Sequence, residues 1–94
     1  MLAKIPTNLE KVKKEDLDNE ILRVGIIAEL DAVNLYEQLA AMTENQSIKR
    51  LLLDVAKEEK THVGEFQALL LEYDEAQGKE LEAGKREVDE LLGS

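Results

Sequence analysis

Cysteine is absent from this 94-residue chain, and with it go disulfides, thiolate zinc sites, iron-sulfur clusters and thiol catalysis. Any redox chemistry must therefore use a metal or a bound cofactor. Tryptophan is also missing, and Phe66, Tyr36 and Tyr73 are the only aromatic residues. The apolar content thus rests on Leu, Ile, Val and Ala, which suffice for helices packed through aliphatic ridges. No apolar run approaches the roughly 20 residues of a membrane span, and Met1-Leu2-Ala3-Lys4-Ile5-Pro6 lacks the apolar core and cleavage site of a signal peptide. The expectation is an intracellular, soluble protein. Positive charge is scarce too: 12 Lys and Arg stand against 21 Asp and Glu, for a net charge of −9. Phosphate binding needs clustered Lys and Arg, so a nucleic-acid partner is not expected. An acidic surface can concentrate cations, although it can equally serve only to keep helices soluble.

Residues 1–14 carry Pro6 and four lysines (Lys4, Lys11, Lys13, Lys14) without periodicity, and they read as an extended or flexible lead-in. Residues 15–94 read as one all-α domain. A first helix is expected over about 16–43, capped by Asp16 or Asp18, and a second over about 46–73, capped by Asn45 or Ser47. A third, acidic helix over about 79–92 presents Leu81, Val88 and Leu92 on one face. Its internal Gly84 lowers its intrinsic stability by about 1 kcal/mol relative to alanine, so it needs a neighbour and is read as an oligomer contact. A two-helix hairpin cannot enclose a core by itself, and a chain of this size is expected to oligomerise.

The one histidine falls where an apolar residue belongs. On helical spacing the seam of the second helix runs Ile48, Leu52, Val55, Glu59, His62, Phe66, Leu69, Tyr73, in alternating steps of four and three. The first helix repeats the pattern in Leu22, Ile26, Glu29, Val33, Tyr36 and Ala40. Three ionisable side chains thus interrupt two oily stripes, and burying such groups unpaired costs several kcal/mol or more. If Thr43-Glu44-Asn45-Gln46-Ser47 is the turn, Glu29 and His62 stand at the same level, about 25 Å from it at roughly 1.5 Å per residue. A metal ion is the natural partner for such a set.

A Glu and a His three residues apart project from one helix face. Ferritin-like di-iron bundles use one Glu from each of two helices and a Glu-x-x-His pair from each of two others. This chain offers half of that set: Glu29, and Glu59 with His62. An isologous two-fold interface presents the same patch twice, so two hairpins face to face would complete a four-helix bundle with four carboxylates and two imidazoles. Carboxylate and imidazole ligands suit Fe(II), with manganese and zinc as competitors. Tyr36 lies two turns beyond Glu29 on the same seam, where packing beside the site is a more ordinary role than direct chemistry.

Taken together, Glu29, Tyr36, Glu59 and His62, set in Ile26-Ile27-Ala28-Glu29-Leu30-Asp31-Ala32 and Lys57-Glu58-Glu59-Lys60-Thr61-His62-Val63-Gly64-Glu65-Phe66, resemble the encapsulated ferritin family. The resemblance runs from about Asp18 to Leu92 and includes the thirty-residue interval between Glu29 and Glu59. It implies a ferroxidase that oxidises Fe(II) to Fe(III) with dioxygen, with two iron ions at each dimer interface and Glu29, Glu59 and His62 contributed by each subunit. It further implies dimers arranged in a ring, commonly a decamer, housed with their oxidised iron inside an encapsulin shell in the cytoplasm. Tyr36 matches the family's tyrosine beside the metals. The family's extra carboxylates, thought to guide iron inward, fall at Ala28 and Asp31 here, which leaves Asp31 alone as an auxiliary metal ligand. No encapsulation peptide is read in the last residues, and similar domains are fused to the shell protein, so the chain is expected as cargo or as a piece of a fusion.

Two other readings of the same residues stand beside this one. A rubrerythrin-like peroxidase shares the di-iron bundle but usually draws electrons from a cysteine-ligated iron domain. A non-catalytic helical oligomerisation module would use the seam carboxylates for a structural metal or for none.

Overall fold

A computed structural model of the chain describes residues 8–93, so Lys4, Pro6 and the rest of the first half of the lead-in lie outside the described residues. Two single 3-10 turns, Leu9–Lys11 and Lys14–Asp16, lead into three helices: α1 (Leu17–Met42), α2 (Gln46–Tyr73) and α3 (Glu75–Leu92). Among the described residues there is no strand, and no helix is long and apolar enough to cross a membrane.

Neither candidate aspartate caps α1. Asp16 precedes the helix with φ −100° and ψ −8° and makes no side-chain cap bond, because the preceding 3-10 turn already holds the backbone in a helical region rather than the extended one a cap requires. Asp18 lies inside the first turn, where its charge favours the positive end of the helix. The link to α2 is only Thr43-Glu44-Asn45. Asn45 Oδ1 accepts from the Ser47 and Ile48 amides at 3.0 and 3.1 Å, which makes Asn45 the cap and lets α2 begin at once.

The link from α2 to α3 is a single residue. Asp74 (φ −128°, ψ 84°) ends one helix through its amide bonded to the Leu70 carbonyl and begins the next through Oδ1, which accepts from the Gln77 amide at 3.1 Å. Helix α3 therefore starts at Glu75 and not near residue 79. Gly78, which reads as a loop residue in sequence, sits in the first turns of α3 beside Leu71. The helix closes on Gly93 in the left-handed conformation (φ 71°), whose amide bonds to the Asp89 carbonyl.

Helices α1 and α2 pack antiparallel around Leu22, Val33, Ala40, Ala56 and Leu70, the buried apolar residues among those described. The α1 seam faces inward as its spacing suggests. On α2 the inward line is instead Leu52, Ala56, Glu59, Val63, Phe66 and Leu70, while Ile48, Leu69 and Tyr73 are exposed on the hairpin's flank. The apolar stripe of α2 is thus two residues wide: its inner half is covered by α1, and its outer half borders α1 along one edge and stays largely open. No residue of α3 is buried. The radius of gyration, 16.5 Å, exceeds the roughly 12 Å of a compact chain of this length, because α3 turns away from the hairpin instead of covering it.

Candidate metal centre

The antiparallel pairing brings one flank into a ladder with rungs every helical turn. Leu22 meets Leu69 and Phe66 along one shallow cleft, and Asp18, Ile21 and Tyr73 border the next. Two turns from Leu22, on the same face, Glu29 meets His62. His62 Nδ1 stands 3.4 Å from Glu29 Oε2 and 3.3 Å from Glu59 Oε2. The three donor atoms lie within 4.8 Å of one another.

Two donors on one ion, each about 2.1 Å from it at octahedral to tetrahedral angles, stand roughly 3.0–3.4 Å apart. The observed spacings suit that geometry. Both carboxylates are mostly covered, with side-chain exposures of 20% and 19%, whereas the imidazole is 42% exposed. Glu29 Oε2 is fully buried and makes no hydrogen bond. A buried carboxylate oxygen with no hydrogen bond, facing an imidazole and a second carboxylate, is costly unless a cation satisfies it. The chemistry and spacing of Glu29, Glu59 and His62 therefore fit a divalent metal bound from one side, with its remaining positions directed outward.

Tyr36 is half-buried on α1, two turns beyond Glu29. Asp31 does not join the cluster: two residues from Glu29 it faces the other side of α1, where it is 5% exposed. A step of two turns a helix by about 200°, so the two carboxylates cannot serve one ion within this chain. Next to the cluster is a close contact that the seam analysis overlooked. A Cβ built on Gly25, one turn before Glu29, would come within 2.7 Å of Cε1 and 2.8 Å of Cδ1 of Phe66, one turn after His62. The signal in the sequence was a glycine in mid-helix on the ligand-bearing face, where its cost of about 1 kcal/mol relative to alanine calls for a packing reason.

The rubrerythrin family profile matches residues 20–91, and the all-α hairpin with its elbowed third helix carries that family's fold. The chain belongs to the rubrerythrin family of ferritin-like proteins, among the encapsulated ferritins. It is 55% identical over 96 residues to a ferritin-like-encapsulin shell fusion protein of Pyrococcus furiosus, covering 99% of this chain and 28% of that protein. It is 36% identical over 69 residues to the encapsulin nanocompartment cargo protein EncC of Myxococcus xanthus, covering 70% of this chain and 53% of the relative. The chain thus spans between about a quarter and a half of the length of these relatives. A crystal structure of the encapsulated ferritin domain from Pyrococcus furiosus superposes with a TM-score of 0.84 at 51% identity, covering 100% of this chain and 98% of that one.

Proposed function

We propose that two copies of the chain meet through the flank bearing His62, Leu69 and Tyr73, and that Glu29, Glu59 and His62 of both form a centre where Fe(II) is oxidised by dioxygen. The observation that carries this reading is the buried Glu29 Oε2, which makes no hydrogen bond and stands 3.4 Å from His62 Nδ1 with Glu59 close by, at the edge of an exposed apolar surface. A single chain supplies two carboxylates and one imidazole. Two chains supply four carboxylates, enough to balance two divalent ions, and the association also covers the outer half of the α2 stripe.

Iron is the substrate. Each Fe(II) yields one electron, and two together supply a two-electron reduction of dioxygen, with protons from solvent. The chain's part is to hold the ions close together and leave positions open for oxygen. Tyr36 packs beside the centre. The half-ferritin unit of residues 15–94 is the functional piece, and the names of its relatives support a role inside an encapsulin shell, where a ring of dimers delivers Fe(III) for storage. The mass of the protein with and without Fe(II), together with a metal count, tests the shared centre. One metal per chain in an even-numbered assembly supports it, and one metal in a monomer rejects it. Glu59→Ala and His62→Ala should abolish dioxygen-dependent iron oxidation, and wild-type rates in either would reject the activity.

The family match favours one second reading, peroxide reduction. Faster oxidation of the ferrous protein by hydrogen peroxide than by dioxygen would select it.

A further inference from the structure

We propose that Gly25 and Phe66 are a positioning pair that sets the distance between Glu29 and His62. The proposal rests on the metal-binding reading of that cluster. Gly25 precedes Glu29 by one turn on α1, and Phe66 follows His62 by one turn on α2, so the two pairs are adjacent rungs of one antiparallel ladder. At the lower rung the Phe66 ring occupies the volume of a Gly25 side chain: three ring carbons lie 2.7, 2.8 and 3.0 Å from where a Cβ would stand. Real Cβ atoms do not tolerate such contacts, so the separation of the helices here requires a glycine facing an aromatic ring.

The consequence appears one turn away. Donor spacings of 3.3 and 3.4 Å between His62 Nδ1 and the two glutamates suit a single ion, and a widening of the order of 1 Å takes Glu29 out of reach. Glu59 and His62 share a helix and keep their relation whatever α1 does. Glu29 alone crosses the gap, and the rung beside it holds the gap narrow. Phe66 is half-buried and borders the shallow cleft it shares with Leu22 and Leu69, so a methyl group at Gly25 must either turn the ring toward that cleft or part the helices. Neither residue touches the metal position, and their effect passes through Glu29.

Cobalt(II) titration of the full chain, read by its visible ligand-field absorption and with helix content followed by circular dichroism, tests the proposal. Gly25→Ala should weaken cobalt binding by about tenfold or more, the usual cost of losing support for a ligand, and change the absorption envelope at unchanged helicity. Adding Phe66→Leu should restore the wild-type spectrum, because the shorter side chain accommodates the new methyl. Phe66→Ala, which leaves α1 untouched, should broaden the spectrum and weaken binding, and it decides the question if Gly25→Ala does not fold. Wild-type affinity and spectrum in a folded Gly25→Ala or Phe66→Ala variant would overturn the positioning role while leaving the metal site intact. If His62→Ala binds cobalt as the unaltered chain does, the metal reading fails, and the positioning role fails with it.

Discussion

Arg23 reaches from α1 to the elbow between α2 and α3, where its Nη2 donates to Asp74 Oδ2 at 2.8 Å. The other oxygen of the same carboxylate caps α3. One side chain therefore joins three helices, and it is well covered, at 15% exposure. Helix α3 buries none of its own residues, so this carboxylate helps fix its direction, together with the contact of Leu71 with the first turns and the cleft that Gln77 and Leu81 share with Ile26 and Leu70. Asp74→Ala should cost about 1 kcal/mol from the lost cap and release the α3 amides to fast hydrogen exchange. Asp74→Asn keeps an acceptor for the Gln77 amide and loses the charge opposite Arg23. It should lie between the two, since an ion pair with a partly exposed arginine contributes little. Equal protection of α3 in all three proteins would contradict this assignment.

The Asn45 cap invites a second substitution. It accepts two amides that otherwise have no partner at the start of α2. Asn45→Ala should destabilise the chain by about 1 kcal/mol, a fall in midpoint of roughly 4–8 °C for a domain this small. Asn45→Ser should recover most of it. Thermal melts in the presence of a chelator measure the effect without interference from metal.

Much of this architecture is written in local chemistry. Alternating steps of four and three announce α1 and α2, and an asparagine before Gln46 marks where α2 starts. Equal distances from the turn bring Glu29 and His62 to one level, and the fold honours that count. The start of α3 is hidden because Asp74 ends one helix and caps the next with no residue between them, so its turn-forming sequence, with Gly78, suggests a longer loop. The α2 seam is misread by half a stripe: periodicity reports that a face is apolar, not which surface covers it, and Leu69 and Tyr73 remain 40% and 59% exposed. Asp31 shows the same limit. The resemblance implies an auxiliary ligand at Asp31, and helical rotation turns it to the side of α1 away from the Glu29 cluster.

Glu29 offers a test that separates folding from binding. Its buried Oε2 lacks a hydrogen bond and lies near a second carboxylate, with the His62 ring 3.4 Å away, so its charge is costly to the chain until a metal cation is bound. Glu29→Gln keeps the shape, removes the charge and adds a donor that Glu59 can accept. In chelator the variant should melt at or above the wild-type temperature. With Fe(II) under nitrogen, or with Co(II), the wild type should gain stability by preferential binding to its folded form, and the variant should not. A variant that is less stable without metal and equally stabilised by it would show that Glu29 is a structural residue.

The exposed half of the α2 stripe gives the last prediction. Ile21, Leu69 and Tyr73 surround a shallow apolar cleft on the flank that carries His62, and none of them contributes a ligand. A lysine at Leu69 places an ammonium group in that surface. Its aliphatic stem tolerates the exposed position in a single hairpin, whereas an apposed copy would have to bury the charge, at a cost of several kcal/mol. Leu69→Lys should therefore retain helix content and sediment near the 10.6 kDa of one chain. Iron oxidation should fall with assembly, because each half-site keeps its three donors but loses the facing set. If the variant assembles and oxidises iron like the wild type, the partner approaches from another side, and the His62 flank is not the shared face.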